Sequence, residues 1–251
     1  CFFDTTIEHL SSTSKLKKIN NWYQLRKKYH YWLSKQKCDL FILRYYVHDY
    51  WQYRFITQSN KPVLLLHHSF EIPELILPNN YPAKLRAFLE NQLGRKSIKA
   101  ASGIIGVTDE IVKYELQRIE ETVHTKKNFV YPNGYSTSIT SVLEDYRHLN
   151  EIHLIFIASY FDPWHGLDLL VHNIKNSQLL FKLHLVGNIS KEDLLLIGND
   201  NRFIIHGQLN SKQILHLAST CDLGLGSFAL NRKNMQEACT LKVREYLSLG
   251  L

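Results

Sequence analysis

Cysteine is scarce and unpatterned. The chain holds four, Cys1, Cys38, Cys221 and Cys239. None pair at Cys-x-x-Cys spacing, which argues against a disulfide or zinc framework and fits free thiols in a reducing compartment. The thirteen histidines include no His-x-x-x-His or His-Glu-x-x-His arrangement, so no metal is expected. Eleven glycines and six prolines are too few for a linker or collagen-like chain. No apolar run approaches the roughly 18 residues of a membrane-spanning helix, and no signal-peptide pattern opens the chain. Hydrophobic residues at 45% and charged residues at 21% exclude a disordered class. The 251 residues suit one or two domains. The chain starts at Cys1 and stops at Leu251 inside an apolar helical pattern, so it reads as a piece of a longer protein.

Acidic residues are missing altogether between His9 and Cys38. That stretch carries Lys15, Lys17, Lys18, Arg26, Lys27, Lys28, Lys35 and Lys37, eight charges against a net +7 for the whole chain. The remainder is therefore close to neutral. Leu16, Ile19 and Tyr23, and Trp22, Tyr29 and Leu33, recur at helical spacing. Two readings stay open. One is a surface helix with its apolar face on a core. The other is a basic, aromatic-bearing helix docked on an anionic membrane surface. No recognition spacing points to nucleic acid.

Short apolar strands alternate with amphipathic helices along the rest. Strands are expected at Asp39–Arg44, Pro62–His67, Gly103–Val107, Asn128–Tyr131, His153–Ser159, Lys182–Val186, Phe203–His206 and Asp222–Leu225. Helices are expected at His48–Ile56, Ala83–Ala101, Asp109–Glu121, Gly166–Asn173, Lys191–Ile197, Ser211–Ala218 and Leu241–Leu249. The strands are continuous apolar runs rather than alternating ones, as in parallel sheets covered on both faces. The order implies α/β, doubly wound sheets. Pro132-Asn133-Gly134 is a turn signal, and a polar, Ser/Thr-rich tract follows to Asn150. Domains are therefore expected at 1–140 and 150–251, with a cleft between them. Ligands of such sheets sit beyond the carboxyl ends of the strands.

The most informative segment runs from Phe228 to Gly250. It reads as a polar loop after a buried strand, then a helix opening near Leu241. Glu237 precedes that helix and Glu245 lies about one turn inside it, with seven residues between them. Lys242 and the free amides of the first turn suit a phosphate, and flanking carboxylates can accept hydrogen bonds from sugar hydroxyls. The alternative is that Lys242, Arg244 and Glu245 are ordinary exposed helix charges. A second segment, Ile155–Leu170, is a strand, a turn at Pro163 and a helix opening near His165 and Gly166. Gly166 permits close backbone approach, and His165 offers a ring N–H. Gly224-Leu225-Gly226-Ser227-Phe228-Ala229 also satisfies a dinucleotide pattern. It lies in the last strand, however, with no helix reading after it.

Together these segments resemble glycosyltransferase family 4 of bacteria, a group of GT-B fold. Glu237 and Glu245 match its Glu-x7-Glu motif, and Leu241–Gly250 looks like its donor-site helix. Trp164-His165-Gly166 resembles a branch in which Trp-His-Gly replaces Lys-Gly. Ala101–Thr108 and Tyr131–Gly134 are similar to the end of its first domain. The resemblance covers about Cys38 to Leu251. It implies a GT-B-like α/β architecture of two Rossmann-like domains facing a cleft, both incomplete at the chain ends.

The resemblance implies a retaining hexosyltransferase using a nucleotide-diphosphate sugar, with no metal or other cofactor. Glu245 would hold the ribose and Glu237 the transferred hexose. Leu241 and Lys242, with His165 and Gly166, would border the diphosphate. His67 or His68 would lie near the donor sugar. The family's usual cations are replaced here by Ser159 and His165, so Lys242, Arg232 or Lys233 would have to neutralise the leaving group. The acceptor would be a glycan or a lipid-linked glycan of cell-surface polysaccharide synthesis. A cytoplasmic protein on the inner membrane face follows, with little turnover from this piece alone. The alternatives are a GT-B sugar-nucleotide epimerase and a non-catalytic glycan-assembly partner.

Overall fold

A computed structural model describes residues 14–135 and 151–251. The polar tract at 136–150, expected to separate the domains, lies outside the described residues. The chain divides into two compact units, Cys1–Tyr131 and Pro132–Leu251.

In the first unit, α1 (Lys15–Leu33) leads to β1 (Phe41–Arg44), α2 (Tyr50–Gln58), β2 (Val63–His67), α3 (Glu71–Ile76), α4 (Tyr81–Ala100), β3 (Gly103–Gly106), α5 (Asp109–Arg118) and β4 (Lys127–Val130). The four strands form one parallel sheet in the order β1-β2-β3-β4. Parallel strands need helical crossovers on their faces, and this explains the apolar runs. All four residues of β3 are buried, and Val63 and Leu65 of β2 join Ile98, Ile104, Val112 and Leu116 in the core.

Local chemistry sets the helix boundaries. Asp49 caps α2 by accepting from the Gln52 N–H at 3.0 Å, and His48 before it has φ of 59°. The helix expected from His48 therefore starts at Tyr50. Asn80 caps α4 through the Ala83 N–H at 2.9 Å, with Pro82 in the first turn, where its missing N–H costs nothing. Glu120, at φ 61°, ends α5 near Arg118, short of the expected Glu121. Helix α3 was not expected at all; it has six residues and contains Pro73.

The basic stretch is the helix α1, but its apolar residues divide. Tyr29, Trp32 and Leu33 pack on the core. Leu16 is 79% and Ile19 63% exposed, so the start of the expected apolar face covers nothing within the described residues, while Tyr23 packs on Trp51 with ring centres 5.4 Å apart.

The second unit runs β5 (Ile152–Tyr160), a 3-10 turn at Pro163–His165, α6 (Leu167–Ile174), β6 (Phe181–Asn188), α7 (Lys191–Ile197), β7 (Phe203–Gly207), α8 (Ser211–Ala218), β8 (Leu223–Gly224), a 3-10 turn at Leu230–Lys233 and α9 (Leu241–Leu249). Its parallel sheet has the order β7-β6-β5-β8. Adjacent residues of β5 face opposite sides. Phe156 enters a cluster with Leu167, Val171, Leu183 and Leu185, while Ile155 enters another with Val186, Ala218, Tyr246 and Leu249. Both are fully buried, so the sheet is covered on both faces. The strand order reverses direction between β5 and β8. This is the switch point where α/β sheets open a crevice at their carboxyl edge.

Candidate functional site

The loops leaving β5 and β8 meet at this switch point. After β5 the chain turns through Pro163–His165 into Gly166, which has φ of 70°. A Cβ there would stand 3.1 Å from the Cβ atoms of Phe228 and Ala229. Backbone conformation and crowding both call for glycine. The loop after β8 is laid against this turn. The Phe228 N–H donates to the His165 carbonyl at 3.0 Å and the Ala229 N–H to the Trp164 carbonyl at 3.3 Å. Arg232 clamps the pair, donating to both Asp168 carboxylate oxygens at 2.9 and 2.7 Å and to the Pro163 carbonyl at 2.8 Å. The Lys233 ammonium sits 4.4 Å over the Trp164 ring.

Helix α9 points its amino end at this crevice. Its cap residue Thr240 makes no side-chain cap bond, and among the described residues the Thr240 hydroxyl oxygen, itself buried, has no hydrogen-bond partner. The first-turn amides therefore lack a side-chain acceptor, and a helix start of this kind favours an anion. The helix is fixed to β5 by Tyr246, whose hydroxyl accepts from the Ile157 N–H at 2.9 Å. The Tyr246 ring lies against Gly224, where a Cβ would come within 2.5 Å of it. That contact explains the first glycine of the Gly224–Ala229 pattern. Residues 230–233 form a 3-10 turn, so the strand–turn–helix context of a dinucleotide site is absent there.

Two groups give the crevice its electrostatics. The Lys242 ammonium is buried with no hydrogen-bond partner among the described residues, 5.3 Å from the centre of the Phe156 ring. Burial pushes its pKa down to about 8 against the opposing pull of Asp162. His165 Nδ1 accepts from the Asp162 N–H at 2.9 Å, which leaves the ring proton on Nε2. Burial first, then the Lys242 charge, lowers its pKa to about 4. At neutral pH the crevice therefore pairs the Lys242 cation, with buried Lys233 on the adjoining loop, with one neutral N–H donor, His165.

Of the residues singled out in the sequence, Lys242, His165 and Gly166 lie together here, with Lys233 and Arg232 on the adjoining loop. Arg232 is committed to holding the loops together rather than offered to a ligand. Leu241 is 56% exposed. Glu245 is half-buried, and its Oε1 accepts from the Tyr135 hydroxyl at 3.3 Å. Glu237 is exposed on the loop before α9, and Ser159 is exposed at the end of β5.

His67 and His68 belong to the first unit and differ sharply. His67 is fully buried. Its Nδ1 lies 2.9 Å from Glu71 and 3.4 Å from Glu115, and its ring stacks on Tyr45. Arg118 ties the cluster together, reaching Glu115 at 2.8 Å and both Glu71 and Glu90 at 3.3 Å. Glu90 also accepts from the Tyr45 hydroxyl and from the His48 N–H. Burial opposes a charge on His67, but Glu115 and Glu71 outweigh it and raise the pKa to about 10. Glu71 is lifted to about 7 by burial and by Glu115. His68, half-buried, is the one of the pair with exposed surface.

This network escaped the sequence reading. Its members come from β2, α3, α4 and α5, and only the pairs His67 with Glu71 and Glu115 with Arg118 are local. His67, Glu71 and Glu115 are the one group among the described residues whose ligand atoms, within 4.8 Å of one another, could hold a metal ion. Arg118 already supplies positive charge to both carboxylates.

No family model matches the sequence, and no curated protein matches it. Solved structures do match in fold. Anabaena Alr3699/HepE in complex with UDP and glucose is 17% identical, with a TM-score of 0.56 over 85% of this chain and 57% of that one. An E. coli structure described as trehalose-6-phosphate bound with UDP-2-fluoro glucose gives a TM-score of 0.60 at 10% identity, covering 96% of this chain and 63% of that one. A glycosyltransferase from Rickettsia africae ESF-5 gives 0.50 at 17% identity, over 88% and 58%. These similarities, with the two parallel sheets, define the fold as α/β and GT-B-like, built from two Rossmann-like units. The chain spans less than two thirds of each of these structures.

Proposed function

We propose that this chain is the core of a glycosyltransferase that takes a hexose from a nucleotide-diphosphate sugar. The observation that carries the reading is the unpartnered, buried Lys242 ammonium beside neutral His165, at the uncapped start of α9 and at the switch point of the sheet. A buried cation without an acceptor is costly, and a diphosphate would relieve that cost. The structural neighbours solved with UDP, or with a UDP-sugar analogue, support the same ligand class.

In this reading the bond from the anomeric carbon to the diphosphate oxygen breaks. The acceptor hydroxyl attacks from the same face, and its proton passes to the departing phosphate oxygen. Lys242, the His165 Nε2–H and the α9 amides stabilise the charge that develops on the leaving group. Glu245 holds the ribose, Glu237 orients the hexose, and the remaining task is positioning. Exposed Ser159 carries no charge, so Lys242 and Lys233 supply the cations, and the chemistry needs no metal.

The finer reading is a retaining enzyme of glycosyltransferase family 4, in its Trp-His-Gly branch. It serves cell-surface polysaccharide synthesis on the cytoplasmic face of a membrane, with a glycan or lipid-linked acceptor. Among the described residues no helix is long and apolar enough to cross a membrane, so attachment would be peripheral. The test is Glu245→Gln in the complete protein, assayed for nucleoside-diphosphate binding and for donor hydrolysis. Sharply weaker binding is expected. Unchanged nucleotide affinity refutes the donor-site assignment. Donor binding with no nucleotide release above background favours a non-catalytic partner of the same fold instead, and an altered free sugar nucleotide without acceptor favours an epimerase.

A further inference from the structure

The first unit contains a cavity of about 500 Å³ between α1, α2 and the amino-terminal edge of its sheet. Phe41, the first residue of β1, and Lys61, just before β2, line it. It therefore lies at the strand ends opposite to those where α/β sheets bind their substrates. Its volume falls in the ordinary range of ligand sites, roughly 300–1,000 Å³.

The wall is cationic and carries no carboxylate. Lys27, Arg54 and Lys61 line it, and none of the lining residues is acidic. Lys27 and Arg54 flank the Trp51 indole, at 5.2 and 5.6 Å from its ring centre. Lys61 has an exposed carboxylate, Asp39, at 3.6 Å. Two further wall residues hold polar atoms in want of partners. The Trp51 indole N–H is buried and makes no hydrogen bond among the described residues. His30 is 4% exposed, and its Nε2 lies 3.1 Å from Asp49. The Nδ1 of the same ring is buried without a hydrogen-bond partner among the described residues. Orphaned buried polar groups are rare in folded proteins and call for an explanation.

We propose that this cavity is a second binding site, separate from the donor crevice, for a phosphate ester. Lys27 and Arg54 provide the charge, and Arg54 offers the forked geometry suited to phosphate. Small ring rotations bring the Trp51 N–H and His30 Nδ1 to the phosphate oxygens. The aromatic wall of Phe41 and Trp51 receives the carbon skeleton. The ester is either a soluble metabolite or a lipid headgroup, and exposed Lys28 on α1, with Tyr31 exposed in the cavity wall, is compatible with the second source. This inference does not rest on the proposed function.

The experiment titrates the protein with glycerol 3-phosphate by calorimetry and sediments it with phosphatidylglycerol or phosphatidylcholine vesicles. Saturable binding of the soluble ester, or of phosphatidylglycerol but not phosphatidylcholine vesicles, supports the site and names its source. The combined change Lys27→Gln and Arg54→Gln is expected to cut that binding by about tenfold or more at an unchanged melting temperature. Binding in neither arm, or binding that survives the double change, overturns the proposal. So does an equal loss on Lys17→Gln with Lys18→Gln, which lie on α1 outside the cavity. If the double variant does not fold, Trp51→Phe decides, since it keeps the ring and removes only the N–H. A loss of roughly fivefold supports the site, and unchanged affinity overturns it.

Discussion

Replacing Lys242 by methionine should stabilise the protein and disable it at the same time. The side chain keeps its length and apolar stem and loses the charge. Burial lowers the lysine pKa from 10.5 to about 8. A drop of that size corresponds to about 3 kcal/mol at neutral pH, at about 1.4 kcal/mol per unit. The sign follows from proton counts. Between pH 8 and pH 10.5 the unfolded chain holds the proton and the folded chain releases it, so stability rises with pH across that window. Below pH 8 both states are charged and the full cost of burial is felt.

Methionine removes that cost, and we expect a gain of about 1–3 kcal/mol at pH 7, which raises Tm by about 2–10 °C. Nucleoside-diphosphate affinity should fall by about 10–100-fold, the worth of a charge-assisted contact. In the wild type that affinity should also decline above pH 8 as the ammonium deprotonates. Thermal melts at pH 7 and pH 9.5, with and without a nucleoside diphosphate, read all of these effects. A variant that melts lower than wild type at pH 7 and binds the nucleotide equally well refutes the reasoning.

Three other substitutions probe the frame. Gly166→Ala meets a left-handed φ and the Phe228 and Ala229 Cβ atoms at 3.1 Å; it should cost about 1–2 kcal/mol, read as a lower urea midpoint, with weaker donor binding. Arg232→Ala removes the bidentate contact to Asp168 and should speed amide hydrogen exchange in the loops on both sides of it; unchanged exchange would deny the clamp. In the first unit, His67 at about 10 and Glu71 at about 7 both bind protons more tightly folded than unfolded. The stability they contribute is full below their unfolded values and is lost as pH rises toward their folded ones. Urea midpoints of that unit should fall between pH 6.5 and 9. His67→Gln should flatten the slope, and a slope left intact would show that the buried imidazole is not charged.

Much of the fold could be read in advance because the central strands β2, β3 and β6 are buried on both faces. Such strands are unbroken apolar runs, and all eight strands overlap the expected Asp39–Arg44, Pro62–His67 and their counterparts. Helix ends were harder, since they depend on single backbone conformations such as the positive φ of His48 and Glu120. The strand–turn–helix at Gly166 and the helix start at Leu241 stood out as local patterns. Local sequence could not disclose that Lys242 is buried, because it lies in the charged run Lys242–Glu245. Nor could it disclose that Arg232 is spent on Asp168, 64 positions away. The His67, Glu71, Glu90, Glu115 and Arg118 network was invisible for the same reason. Its partners meet only once the sheet and three helices are assembled.

The backbone bonds from Phe228 and Ala229 to His165 and Trp164, closed by Arg232 on Asp168, make two distant stretches of chain a single mechanical part. Grafting either stretch alone into a related scaffold would leave amides and a guanidinium facing the wrong companions. A chimera designed to change ligand preference must exchange residues 160–168 and 225–233 as a pair. Among relatives, substitutions in one stretch should be accompanied by compensating ones in the other.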